Sequence, residues 1–273
     1  MILFPNAKIN LGLRVIERRN DGFHNIETVF VPVDLCDVLE FTGSEKPGNT
    51  IKITGIQPEN DPEDNLVIGA WKLMREKYNV PHLNIHLHKA IPIGAGLGGG
   101  SSDAAFMLKG INDLFNCGCS NEELKDMAAS LGSDCPFFVE NNTALGTGRG
   151  EVLQFIDLSL DQYKILLVNP GIHISSKEAF GGVRPGKQVQ SLKDLVKNPV
   201  TDWKNCIYND FENSIFPKHP RIQEIKSVLY SSGAVYSSMT GSGSTVYGIY
   251  SKIEKDELEI LFPGDSISIV DFL

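Results

Sequence analysis

The chain has 273 residues, enough for one or two domains with a sizeable core. Its 41% hydrophobic and 22% charged content is that of an ordinary globular protein, and no apolar run approaches the roughly 20 residues of a membrane span. A net charge of −9 argues against nucleic acid as a main partner, because duplex binding relies on Lys and Arg to neutralise phosphates. Five cysteines at 36, 117, 119, 135 and 206 match no zinc spacing and predict reduced, structural thiols. Met1–Pro5 is apolar without a basic leader, which predicts a strand and not a signal peptide. The expected location is the cytoplasm.

In chain order, Ile9, Leu11, Leu13 and Val15 alternate with Lys8, Asn10, Gly12 and Arg14. That period of two predicts a strand with Lys8 and Asn10 on one polar face. Asn20-Asp21-Gly22 is a turn signal, and Phe23–Val33 returns as the partner strand. Further strands are expected near 37–42 and 50–56. Asp61-Pro62 reads as a capped helix start, with Leu66, Ala70, Leu73 and Met74 as its apolar stripe.

A strand through Leu83, Ile85 and Leu87 leads into a glycine-rich stretch and then a helix carrying Ala104, Ala105, Leu108, Ile111 and Leu114. Ser120 and Glu123 form a capping box for the next helix, which ends at Gly132. Beyond about 160, a strand at 164–168, a helix start at Ser175, a helical insertion at 190–215 and a helix from Pro220 are expected. Strands at 234–239 and 245–250, a helix at 253–262 and a strand at 266–271 follow. Apart from the insertion this is a βαββαβ order. The predicted division is 1–158 and 159–273.

The informative stretch is Pro92-Ile93-Gly94-Ala95-Gly96-Leu97-Gly98-Gly99-Gly100-Ser101-Ser102. Glycines let a backbone approach a ligand closely, and the N–H groups opening the following helix favour an anion. Together they predict a phosphate cradle, with hydroxyls from Ser101 and Ser102. The stretch lacks Gly-Lys-Ser/Thr, so it is no ordinary P-loop. Gly94, Gly96 and Gly99 spell a dinucleotide string, but that fold needs a second parallel strand with an acidic end. Here another helix follows, and Asp113 lies inside the first.

This loop resembles the second motif of the GHMP kinases, the galactokinase, homoserine and mevalonate kinase group. Its extended form, Gly96 to Ser102, is similar to a branch whose substrate is a cytidylyl-linked methylerythritol. Asn6-Ala7-Lys8-Ile9-Asn10-Leu11, Gly22-Phe23-His24 with Glu27-Thr28, Leu131–Phe138 and Met239–Ser244 resemble other segments of that branch. Phe23, Thr240 and Asp103 depart from its usual Tyr, Ser and Asn.

The resemblance implies an α/β (α+β) two-domain fold, with a ribosomal-protein-S5-domain-2-like N-terminal domain and a ferredoxin-like C-terminal one. ATP with Mg2+ would lie between them, with no dedicated protein metal site. It implies transfer of the γ-phosphoryl of ATP to the 2-hydroxyl of the methylerythritol unit. Lys8 and Asp134 would be catalytic, Lys8 holding Asp134 ionised and offsetting charge on the transferred group. By local pattern alone, Lys8 is a solvated lysine and Asp134 a helix cap.

Residues 92–102 and Asn65 would bind ATP. Asn10, Phe23, His24, Phe180, Thr240 and Gly241 would bind substrate, with His24 at the cytosine edge and both phenylalanines stacked on the base. His82, His86 and His88 share a strand face, read as solvated and not as a metal site. A monomer or weak dimer is expected. Rival readings are another GHMP alcohol kinase and a nucleotide-binding module without catalysis.

Overall fold

In the computed structural model, which describes residues 1–58, 61–186, 189–253 and 258–273, the period-two pattern at the start builds long strands. β1 (Ile2–Leu3) is short, and β2 (Asn6–Arg18) and β3 (His24–Cys36) flank the expected turn at Asn20–Gly22. β4 (Val38–Ser44), β5 (Thr50–Gly55), α1 (Leu66–Lys77) and β6 (His82–Lys89) precede the glycine loop. α2 (Gly99–Leu114), α3 (Asn121–Leu131) and α4 (Cys135–Glu140) follow it. One sheet has the order β1-β4-β6-β5, antiparallel except for the parallel pair β5–β6.

The chain continues through β7 (Ala144–Thr147), β8 (Val152–Phe155), β9 (Lys164–Asn169), α5 (Ser176–Gly181), α6 (Leu192–Leu195) and α7 (Glu212–Ile215). It ends in α8 (Pro220–Ser231), β10 (Tyr236–Met239), β11 (Val246–Tyr250), α9 (Leu258–Leu261) and β12 (Ser266–Val270). β7 and β8 add to a sheet ordered β2-β3-β7-β8 and were not legible as strands in the sequence. The last sheet is antiparallel, ordered β10-β11-β9-β12. That is the ferredoxin-like arrangement of a βαββαβ unit. Ile222, Ile225 and Leu229 of α8 share one core with Leu166, Val168, Met239 and Val246.

Packing divides the chain into two units. One comprises 1–7, 35–93 and 98–142; the other comprises 8–34, 94–97 and 143–273. These units group packed residues and cut across the sequential division at 158/159, which follows element order.

Two local expectations are corrected, and a third falls partly outside the described residues. Asp61 caps only a single 3-10 turn over Pro62–Asp64, and α1 begins at Leu66, with Asn65 Oδ1 accepting the Val67 N–H at 3.0 Å. Over Asn6 to Val15 β2 has no solvated face: all ten residues are buried, because its second side is covered by remote segments, and only its last residues reach solvent, at Glu17 and Arg18. The C-terminal helix is described only as Leu258–Leu261, and 254–257 of the expected 253–262 lie outside the described residues. The capping box of α3 forms as expected, and Lys77 with that cap holds the exposed Glu123 carboxyl down at about 2.

Candidate active site

Lys8 and Asn10 project from the same side of β2, as a period of two requires, yet each is only 2% exposed. A buried ammonium persists only with partners. Lys8 Nζ donates to Asn10 Oδ1 at 2.6 Å and to the Gly96 carbonyl at 3.0 Å, and lies 5.4 Å from the Phe30 ring centre. Asn10 Nδ2 donates to Thr28 Oγ1 at 2.9 Å, which fixes the amide so that its oxygen faces Lys8. The Thr240 hydroxyl accepts the Asn10 N–H at 3.0 Å and lies 3.1 Å from the Gly96 carbonyl. Asn10, Lys8, Gly96 and Thr240 therefore form one network, and Gly241 follows at φ +54°, where a β-carbon would stand 3.1 Å from Gly96.

The glycine loop is held at alternate residues. The Lys8 N–H donates to the Leu97 carbonyl at 3.0 Å and the Thr245 N–H to that of Ala95 at 3.3 Å. Between them Gly96 has φ +79°, and a β-carbon there would stand 2.1 Å from the Thr240 carbonyl oxygen. Only glycine fits. Pro92 is half-buried, Ile93 exposed, and Gly94 lies against His173 with φ +65°.

Gly98 is the N-cap of α2 at φ +73°, and the first helical bond runs from Ser102 N–H to the Gly98 carbonyl at 2.9 Å. The N–H groups of Gly99, Gly100 and Ser101 thus have no intrahelical acceptor, as at any helix start, and the dipole there favours an anion. Ser101 is half-buried; Ser102 is fully buried, and its Oγ has no hydrogen-bond partner among the described residues.

The first unit pins the stems of the loop with a buried ion cluster. Asp37 Oδ1 accepts the Ala90 and Ile91 N–H groups at 2.6 and 2.9 Å, and its Oδ2 accepts from Lys89 Nζ. Lys89 also donates to Asp103 Oδ2 at 2.6 Å, reaching the second turn of α2. Burial pushes the Asp103 carboxyl up to about 7, with Lys89 opposing and Asp37 adding to the rise.

Gly98→Val is expected to abolish ATP binding without unfolding the protein. A β-branched residue held at this φ costs about 1–3 kcal/mol, well inside a domain's stability of roughly 5–15 kcal/mol. The added bulk would obstruct a phosphate seated at the opening N–H groups of α2. Titration calorimetry with a non-hydrolysable ATP analogue reads the affinity; an unchanged value removes the loop from the nucleotide site.

Asp134 stands at the N-cap position of α4 but makes no capping hydrogen bond, against the expectation of a cap. It is half-buried beside the fully packed run Cys135–Val139. The neighbouring Cys135 thiol is pushed up to about 11 by burial, so it is no nucleophile at neutral pH.

Among the expected cytosine contacts, Phe180 stacks on His24 with ring centres 4.6 Å apart and 12° between planes, and meets Phe211 edge-on at 4.8 Å. Phe23 is 54% exposed, with the Arg149 guanidinium 5.2 Å from its ring centre. Burial, aided by the charge of Arg18, lowers the His24 pKa, so its ring is neutral at neutral pH, one nitrogen donating and the other accepting. His86 and His88 share Thr54 Oγ1 at 2.9 and 3.0 Å, while His82 packs on Trp71. Lys89, Asp37, Arg149 and Asn209 were missed in the sequence, because no local pattern marks a long-range partner.

A profile of the GHMP kinases N terminal domain matches residues 65–141, and one of the GHMP kinases C terminal domain matches 191–259. A 4-diphosphocytidyl-2-C-methyl-D-erythritol kinase of Bacteroides fragilis is 47% identical over 267 residues, covering 96% of this chain and 97% of that protein. The chain belongs to the GHMP kinases. Another kinase of the same description, from Azobacteroides pseudotrichonymphae, is 50% identical over 253 residues, or 92% of this GHMP kinase and 94% of the relative.

A crystal structure of a 4-(cytidine 5'-diphospho)-2C-methyl-D-erythritol kinase superposes with a TM-score of 0.81 at 27% identity, covering 99% of both chains. Homoserine kinase from Cytophaga hutchinsonii shares the fold, with a TM-score of 0.67 at 17% identity and coverage of 97% and 94%. As a GHMP kinase the protein is an ATP-using phosphotransferase, and no helix among its described residues is long and apolar enough to cross a membrane.

Proposed function

We propose that this kinase transfers the γ-phosphoryl of ATP to the 2-hydroxyl of 4-diphosphocytidyl-2-C-methyl-D-erythritol. The observation that carries the reading is near-full-length identity, 47% over 96% of the chain, to a kinase of that description. The exposed Phe23 and the His24–Phe180 pair add aromatic surface and an edge donor and acceptor suited to a pyrimidine.

In this reading Asp134 takes or orients the proton of the attacking hydroxyl, and Lys8 offsets charge on the transferred group, since phosphoryl transfer is mostly positioning and electrostatics. The left-handed glycines and the opening N–H groups of α2 fit a phosphate, and Mg2+ enters with the nucleotide. Asn65, at the start of α1, belongs to the adenine end. A reducing cytoplasm, and a monomer or weak dimer, complete the reading.

A coupled assay of ADP release against homoserine, mevalonate and the cytidylyl methylerythritol tests it, with turnover expected only for the last. A stacked ring contributes about 1–3 kcal/mol per base, and about 1.4 kcal/mol is a factor of ten, so Phe180→Ala should weaken substrate affinity roughly 5- to 150-fold. His24→Ala should act comparably by leaving base atoms unpaired. ATP affinity should hardly move, and CMP should compete with the substrate. If CMP does not compete and both variants bind the substrate normally, only the broader alcohol-kinase reading survives.

A further inference from the structure

Asn209 is 1% exposed and uses all its side-chain polar atoms. Its Nδ2 donates to the Met239 carbonyl at 2.7 Å and to the Gly241 carbonyl at 2.8 Å, and its Oδ1 accepts the Phe211 N–H at 3.0 Å. The two carbonyls flank Thr240, so one planar amide grips the chain on both sides of that residue. Glu212 grips the same turn by its opposite polarity: its Oε1 accepts the Met239 N–H at 2.8 Å and the Ser238 hydroxyl at 3.1 Å.

Thr240 in turn touches two acceptors of Lys8. Its Oγ1 lies 3.1 Å from the Gly96 carbonyl and 3.3 Å from Asn10 Oδ1, the atoms to which Lys8 Nζ donates. The backbone contact between Gly96 and Thr240 leaves no slack, as the 2.1 Å clearance for a β-carbon shows. The two Asn209 donors are not needed to place their own segment, where only Oδ1 is used, on the Phe211 N–H. The Leu13 N–H donates to the Tyr208 carbonyl at 3.0 Å and the Asp210 N–H to the Leu13 carbonyl at 2.8 Å, which already anchors residues 208–210 to β2. Its donors are spent on the turn alone.

We infer that Asn209 is a positioning residue for phosphoryl transfer, holding the Met239–Gly241 turn so that Thr240 keeps Asn10 Oδ1 and the Gly96 carbonyl, acceptors of Lys8, in place. The inference rests on the role proposed for Lys8. Misplacement of a reacting group by about 1 Å from a remote change can cost on the order of 10²-fold in rate. Asn209→Leu keeps the shape and removes both donors, together with the acceptor of the Phe211 N–H, and should lower kcat about 10- to 100-fold with the KM for ATP nearly unchanged. Ile225→Ala, which carves the core of the same unit, serves as the stability control and should keep wild-type kcat once folded.

The deciding measurement is a double-mutant cycle with Lys8→Met, using whichever acceptor the wild-type enzyme turns over. A residue acting through Lys8 loses most of its effect when Lys8 is gone, whereas a general structural role multiplies. If Asn209→Leu does not fold, Asn209→Ser, which can donate to only one of the two carbonyls, is read in the same cycle. Equal losses in both backgrounds, or a wild-type kcat in the Asn209 variant, overturn the inference while Lys8→Met keeps its own reduced but measurable rate. Normal turnover of Lys8→Met itself instead removes the Lys8 reading, and this inference with it.

Discussion

Asp134→Asn is expected to keep the fold and ATP binding and to lower kcat by about 10²- to 10⁴-fold, the range for a positioned acid–base group. The fold should survive because α4 is held by its buried run from Cys135 to Val139. The amide keeps the shape of the carboxylate and cannot take a proton. Single-turnover rates separate chemistry from product release. A variant that retains more than a tenth of the wild-type rate, with chemistry limiting, would show that Asp134 plays no such part.

Lys8→Met should lower kcat by about 10²-fold or more, the scale for removing one preorganised charge from the transition state. Methionine matches the lysine stem in length, so little volume is lost. Two acceptors, Asn10 Oδ1 and the Gly96 carbonyl, lose their ammonium donor, and a buried unsatisfied polar group costs about 1–3 kcal/mol. The Thr240 hydroxyl lies near both oxygens and can serve one of them, so the enzyme should remain folded at a reduced Tm. Thermal unfolding and steady-state rates are read together. A normal rate would return Lys8 to a packing role.

Much of the site could be read along the chain because its signals are local. The αL glycines Gly94, Gly96 and Gly98 and the helix that follows them lie in one stretch, which is why a phosphate cradle can be expected there from sequence. The same holds for the capping box at Ser120 and for the shared side of Lys8 and Asn10, each set by neighbours within a few residues. The family motifs supplied Asp134 and Phe180, to which local pattern assigns only a cap and a core ring.

What the sequence by itself determined is therefore most of the order of elements, the glycine-rich loop ahead of α2 and the shared side of Lys8 and Asn10. Only the tertiary structure decided that β2 is buried on both faces over Asn6 to Val15, which turns Lys8 from a solvated cation into one held by the Gly96 carbonyl. It likewise decided that Asp134 caps nothing, that Phe180 lies flat on His24, and that Asn209 grips the turn around Thr240. Periodicity and caps depend on contacts a few residues apart, which composition and spacing record. Burial of a second face and the choice of a distant hydrogen-bond partner depend on which segments meet in space, and no local pattern encodes that.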